Sequence, residues 1–254
     1  MKFSLIILSR NSERFIEKCI ISALMQQDVE VELIVQDSFS TDKTIEIIKS
    51  FNDERILLVS QLDQGIYDGL NKAIERCSGD VIGLLHSDDI LSHDKVLSVI
   101  KNVFTNYKID GVYSDLQYFY ELEENVFLNR FWKASEYSYL KLVFGWMPPH
   151  PTLFLNRYVY SDIGVFDTKL RISSDYDFII RLFNSGRYTI KYIPSTLYHM
   201  RLGGASTGSL MKAYCKAIED ITVIRKYSNL GLHTLLFKKI RKMFQPFLNN
   251  FRRF

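Results

Sequence analysis

Val81-Ile82-Gly83-Leu84-Leu85-His86-Ser87-Asp88-Asp89 decides how this chain reads. The first five residues form a continuous apolar run, as expected of a strand buried on both faces of a parallel sheet. The run ends in two adjacent carboxylates, which are costly beside a buried strand unless paired or bound to a cation. Hard divalent ions such as Mg²⁺ and Mn²⁺ prefer carboxylate oxygens and readily share a diphosphate. A strand-end turn in which Asp89 caps the next element is the alternative.

Outward from this stretch, strands and helices alternate. Phe3–Leu8, Val31–Val35, Ile56–Ser60 and Gly111–Asp115 read as further strands. Between them, Phe15, Ile16, Cys19, Ile20, Ala23 and Leu24 recur at helical spacing, with Asn11 or Ser12 as a cap. Ile45, Ile48 and Phe51 mark a second helix, Ile66 to Cys77 a third, and Lys95–Tyr107 a fourth. This alternation predicts an α/β fold: a mixed, mainly parallel sheet flanked by helices. In such sheets ligands bind beyond the carboxyl ends of the strands. Ser9-Arg10-Asn11, Asp37–Asp42 and His86–Asp89 all fall there.

The second half is less regular. Leu116–Phe131 suits a hairpin, Gly145–Pro151 a stiff proline loop, Tyr176–Asn184 a short helix, Thr189–Ile193 a strand and Ser209–Tyr227 a helix. We divide the chain into a main domain over 1–208, with halves 1–115 and 116–208, and a C-terminal helical extension over 209–254.

Composition limits the possibilities. With 254 residues, 47% of them apolar, the chain can build one full α/β core. Three cysteines, Cys19, Cys77 and Cys215, lack any paired spacing, which argues against a disulfide framework and fits a reducing compartment. No apolar stretch reaches transmembrane length, about 18 residues. From Leu232 onward there are six basic residues and no acidic one, leaving 26 basic against 29 acidic residues in the body. Leu236, Ile240, Met243, Phe244, Phe247, Leu248 and Phe251 share a helical stripe beside those charges, with Pro246 as a kink. That pattern predicts docking on an anionic membrane surface; a terminal helix packed on the body is the alternative. Nucleic-acid binding is not expected, because the basic charge is confined to this tail.

Four more segments carry polar chemistry. Asp37 can accept hydrogen bonds from a base or ribose, while Asp42 suits a helix start. Asp63–Lys72 has Gly65 for a tight turn and Asp68, Asn71 and Lys72 on one helical face, or is an ordinary polar face. Ser174-Asp175-Tyr176-Asp177 sets two acids at a helix start, as a general base or as dipole partners. His199 ends a strand before a glycine turn and can serve as a metal or phosphate ligand, although a lone histidine is more often structural.

Taken in order over residues 3–205, these segments resemble glycosyltransferase family 2, inverting enzymes of the GT-A fold. Asp37–Asp42 resembles its D-x-x-S-x-D segment. Asp63–Lys72 is similar to the D-x-G-I-Y-D-x-x-N-K segment of members that build bacterial surface polysaccharides. Met147–Thr152 and Ser174–Phe178 resemble the same subgroup. His86-Ser87-Asp88 occupies the D-x-D position, with His86 in place of the first acid and the metal-binding last acid, Asp88, kept.

The resemblance implies hexose transfer from a nucleotide sugar, a UDP-hexose, to a saccharide hydroxyl with inversion. The acceptor implied is lipid-linked, an O-antigen or capsule intermediate, on the cytoplasmic face of the cell membrane. It implies Mn²⁺ or Mg²⁺ held by Asp88, with His199 as a further ligand. Donor contacts fall to Ser9, Asn11, Asp37, Gln64, Gly65, Asp68, Asn71, Lys72, His86, Ser87 and Asp88. Trp146, His150 and Asp89 border the acceptor. Asp175 takes the acceptor proton, with Asp177 the second choice. A sugar-phosphate nucleotidyltransferase would need a glycine-rich loop after the first strand, where Leu8-Ser9-Arg10-Asn11-Ser12 has none. A non-catalytic sugar-binding protein is supported by His86 alone.

Overall fold

The computed structural model describes residues 1–122, 125–203, 210–227 and 231–244. The first half runs β1 (Lys2–Ser9), α1 (Ile16–Leu24), β2 (Glu30–Asp37), α2 (Thr44–Ser50), β3 (Ile56–Ser60), α3 (Ile66–Arg76), β4 (Val81–Leu84), β5 (Ile90–Leu91) and α4 (Val96–Asn106). The second half runs β6 (Gly111–Leu122), β7 (Asn125–Trp132), α5 (Tyr139–Val143), β8 (Phe154–Asn156), α6 (Arg157–Ile163), α7 (Ser174–Asn184), β9 (Ile190–Arg201), α8 (Leu210–Arg225) and α9 (Leu232–Phe244).

The strands form one sheet in the order β3-β2-β1-β4-β8-β6-β9-β5, with β7 paired to β6. β1 to β4 are parallel to one another, β8 runs antiparallel between β4 and β6, and β9 lies parallel to β6. The expected alternation in the first 115 residues is present, and Leu116–Phe131 does form a hairpin, β6–β7. β5 and β8, of two and three residues, are too short to carry a period and were not anticipated; nor were α5 and α6.

Period-two alternation builds two cores. Phe3, Leu5 and Ile7 of β1 face α1 and α4, whereas Ile6 packs with Leu70 and Ile74 of α3 and Phe178 of α7. Full burial of each such side chain stabilises by about 1.5–3 kcal/mol. Cys19 and Cys77 are buried in these cores, as their helical spacing implied. Helix α1 departs from expectation at its start. Neither Asn11 nor Ser12 caps it by side chain; the Ser12 carbonyl accepts from the Phe15 and Ile16 amides instead.

The C-terminal helices pack on the catalytic body. Val223 and Ile224 of α8 join the core of α7. α9 buries Thr234 and passes so close to Gly145 (φ 71°) that a Cβ there would meet the Thr234 carbonyl at 2.5 Å. Lys238 points inward, its ammonium 3.0 Å from the Asp220 carboxylate of α8. Leu232, Leu236 and Phe237 remain exposed. Residues 245–254, with Pro246, Phe247, Leu248 and Phe251 of the expected stripe, lie outside the described residues. Among the described residues no helix is long and apolar enough to cross a membrane.

Candidate active site

The ends of β1, β2 and β4 come together where the sheet rule requires. Asp37 is fully buried there. Its Oδ1 accepts from the Ser9 and Ser40 hydroxyls, and its Oδ2 from the Ser40 amide and the Ser60 hydroxyl. All four acceptor positions of the carboxylate are thus filled within the protein. Asp37 and Ser9, expected to contact a nucleotide, thus hold the ends of β1 and β2 together here. Asn11 ties the two loops together, its Oδ1 accepting from the Thr41 amide at 2.9 Å. Asp42 accepts from the Thr44 amide at the start of α2, the helix-start role.

Gly65 (φ 135°) makes the turn into α3 that a side chain would strain. Gln64, which is exposed, donates its amide to Asp68. Lys72 spends its three protons on Asp68 (2.7 Å), Asp63 (3.1 Å) and the Leu62 carbonyl (2.9 Å). Asn71 both donates to the Phe166 carbonyl and accepts from the Phe166 amide. Asn71, Asp68 and Lys72 were expected to touch the donor; in the structure they lock this turn and join α3 to the 164–170 segment.

Beyond β4 the arrangement opens. The Ser87 hydroxyl meets that of Ser12 at 2.9 Å. Asp88 is half-buried, and none of the described residues gives its carboxylate a side-chain hydrogen bond or ion pair. Burial pushes its pKa up, with the Arg201 cation opposing. An anion left this way fits a cation shared with a phosphate ligand. His199 does not join it: His199 stands against Phe119, with His93 as its titratable neighbour. No cluster of three metal-binding side chains occurs among the described residues. Asp88 has the donor chemistry the implied metal needs, and His199 sits on β9 opposite Ile90.

Asp89 is also reassigned. It is buried, and accepts from the Tyr198 hydroxyl (3.1 Å) and the Arg201 amide (2.8 Å), fastening β9 to the end of β4 rather than facing an acceptor. Arg201 lies between the rings of Phe15 and Phe119 and pairs with Glu121. Trp146, expected beside the acceptor, is core: its indole N–H donates to the Ala134 carbonyl amid Tyr113, Tyr137 and Phe183.

Asp175 lies in the first turn of α7. Its Oδ1 accepts from the Tyr67 hydroxyl at 3.2 Å, and its Oδ2 lies 3.3 Å from Nδ1 of His150. Burial pushes this carboxyl up, but His150, Lys216 and Lys238 outweigh it and hold its pKa below the ordinary value. His150 in turn meets His86 edge to face, with centroids 5.9 Å apart. Burial pushes both imidazoles down, His86 to about 4. The two rings connect Asp175 to the turn that carries Asp88. Asp177 differs from Asp175 in kind: it is buried between Arg181 (2.9 Å) and Lys226 (3.0 Å). Tyr67, Lys216, Lys238 and Arg201 had no assigned role in the sequence. Only Tyr67 carried a signal, its place inside the D-x-G-I-Y-D segment.

Comparison with known proteins identifies the family and the fold. A Mycobacterium bovis protein named PGL/p-HBAD biosynthesis glycosyltransferase is 26% identical over 221 residues, covering 85% of this chain and 83% of its own. Escherichia coli chondroitin synthase is 28% identical over 233 residues, covering 90% of this chain and 33% of its own. S. aureus TarS 1-349 in complex with UDP-GlcNAc superposes with a TM-score of 0.67 at 18% identity, over 100% of this chain and 74% of that one. The mannosyltransferase PcManGT from Pyrobaculum calidifontis, in complex with GDP-Man and Mn²⁺, gives 0.63 at 15% identity, over 94% and 67%. These likenesses show the fold, which is GT-A. The Glycosyl transferase family 2 profile matches residues 4–172, which include the ends of β1, β2 and β4, and the chain belongs to that family.

Proposed function

We propose that this enzyme transfers a hexose from a nucleotide sugar, a UDP-hexose, to a saccharide hydroxyl with inversion at the anomeric carbon. The observation that carries the reading is a run of contacts from Asp175 through His150 to His86, two residues before Asp88. Asp88 has no side-chain partner among the described residues, and Asp175 is held ionised by Tyr67, His150 and two lysines.

Asp175 accepts the proton of the acceptor hydroxyl while that oxygen bonds to the anomeric carbon. The bond from this carbon to the diphosphate breaks, and its electron pair leaves with the nucleoside diphosphate. His150 and Tyr67 orient the Asp175 carboxylate, and His86 packs against His150. Asp88 would hold Mn²⁺ or Mg²⁺, which when bound neutralises charge growing on the leaving diphosphate. The S. aureus TarS complexes with UDP and UDP-GlcNAc and the PcManGT complex with Mn²⁺ support the donor and metal assignments by fold. Chondroitin and hyaluronan synthases among the relatives support a saccharide acceptor. A lipid-linked acceptor on the inner face of the membrane is supported by α9, whose exposed Leu232, Leu236 and Phe237 lie beside Lys239 and Arg241.

The test is a screen of UDP-, GDP- and dTDP-hexoses for nucleotide release with Mn²⁺ or Mg²⁺. UDP-hexoses are expected to turn over, only with metal. Absence of release from every donor would overturn the reading.

A further inference from the structure

The turn that leads into Asp175 is held from outside the segment that matches the family, by the C-terminal helix α8. The carboxylate of Glu219 accepts three consecutive amides, Arg171 (3.0 Å), Ile172 (2.8 Å) and Ser173 (2.9 Å). Its neighbour Asp220 accepts from the Ser173 hydroxyl at 2.8 Å and pairs with Lys238 of α9 at 3.0 Å. From the opposite side, the Tyr67 hydroxyl donates to the Ile172 carbonyl (2.8 Å), with Asp175 Oδ1 as the longer, secondary acceptor of the same proton (3.2 Å). Ile172 is thus gripped by its amide from one side and by its carbonyl from the other.

An irregular turn has no backbone ladder of its own to fix it. Charge-assisted bonds from a carboxylate to backbone amides are the stronger kind, and three of them on one side chain define a position. A base must be held to a fraction of an ångström to be effective. The match to the family profile ends at Ile172, inside this turn, so Glu219 and Asp220 lie beyond it while Tyr67 lies within it.

We propose that Glu219 and Tyr67 are positioning residues for Asp175, which makes the C-terminal extension part of the catalytic unit. This rests on Asp175 being the base. The substitutions are Glu219→Ala, its conservative counterpart Glu219→Asp, and Tyr67→Phe, which deletes the hydroxyl but keeps the ring stacked on Phe166. For each, kcat, donor KM, UDP affinity and Tm are measured.

Glu219→Ala and Tyr67→Phe are expected to lower kcat by about 10- to 100-fold while donor KM and UDP affinity stay within about twofold. Glu219→Asp should recover part of kcat. Combining either with Asp175→Asn should add little further loss, because both act through the same group. A fall in Tm with kcat intact would overturn the proposal. If Glu219→Ala does not fold, Tyr67→Phe decides alone, and wild-type kcat in that variant counts against it. A wild-type protein without transferase activity would refute the proposed reaction instead; normal variants beside an inactive Asp175→Asn would refute only the positioning.

Discussion

Nδ1 of His150 lies 3.3 Å from Oδ2 of Asp175, the carboxylate oxygen that Tyr67 leaves open. Burial pushes the His150 imidazole down while the Asp175 carboxylate beside it favours the protonated form. Asp175 has a folded-state pKa below the ordinary carboxylate value, so transfer is present above that value and lost as pH falls through it. His150→Ala removes one group that holds it down. The acid limb of the kcat–pH profile is expected to move to higher pH, with kcat reduced roughly 10-fold or more. An unmoved limb would remove His150 from the site.

The two acids of α7 separate by what surrounds them. Asp175→Asn is expected to abolish transfer with UDP affinity and Tm near wild type. Asp177→Asn removes the charge that Arg181 and Lys226 share, while Arg181 keeps the Ile163, Gly164 and Val165 carbonyls and Lys226 keeps Asp167, at a cost of about 1–3 kcal/mol. Its signature is a fall in Tm, with kcat of the folded fraction retained.

These outcomes divide what the residues reveal from what they hide. The β1–β4 alternation is legible because a strand buried on both faces is a continuous apolar run and each helix repeats its apolar stripe. β5 and β8 are not, since two or three residues carry no period and exist only because β9 and β6 offer an edge. In the site, Asp88 and Asp175 stand out as acids after a strand and at a helix start. That Asp89, Asn71, Lys72 and Trp146 spend their polar groups internally is invisible in one dimension. Their partners, Tyr198, Phe166, Leu62 and Ala134, are fixed by the tertiary fold, and a backbone carbonyl leaves no mark in a sequence.

The tail combines two roles that substitutions can separate. Leu236→Ser with Phe237→Ser, Lys239→Glu and Arg241→Glu is expected to reduce co-sedimentation with anionic phospholipid vesicles while transfer to a soluble acceptor persists. Deleting 232–254 would also remove Lys238 from Asp220, so activity should fall together with vesicle binding. Unchanged vesicle binding in the fourfold variant would contradict docking through α9.

Glu32 provides a control at the opposite end of the sheet. Burial pushes its pKa up, but Lys2, Ser4 and Ser78 outweigh that and bring it down to about 2. Its folded value is depressed, so its contribution is present above the unfolded value and lost as pH falls through about 2. Glu32→Gln is expected to cost about 2 kcal/mol at neutral pH. That difference should shrink as the pH drops through the interval from about 4.5 to about 2, with kcat unchanged. Urea unfolding across pH reads it.

Titration of UDP into the protein with and without Mn²⁺, for wild type and Asp88→Ala, tests the donor site most directly. Wild type is expected to bind UDP markedly more tightly with the ion, and Asp88→Ala to bind equally weakly in both conditions. Metal-enhanced UDP binding that survives in Asp88→Ala would contradict the assignment of this carboxylate to the donor's diphosphate.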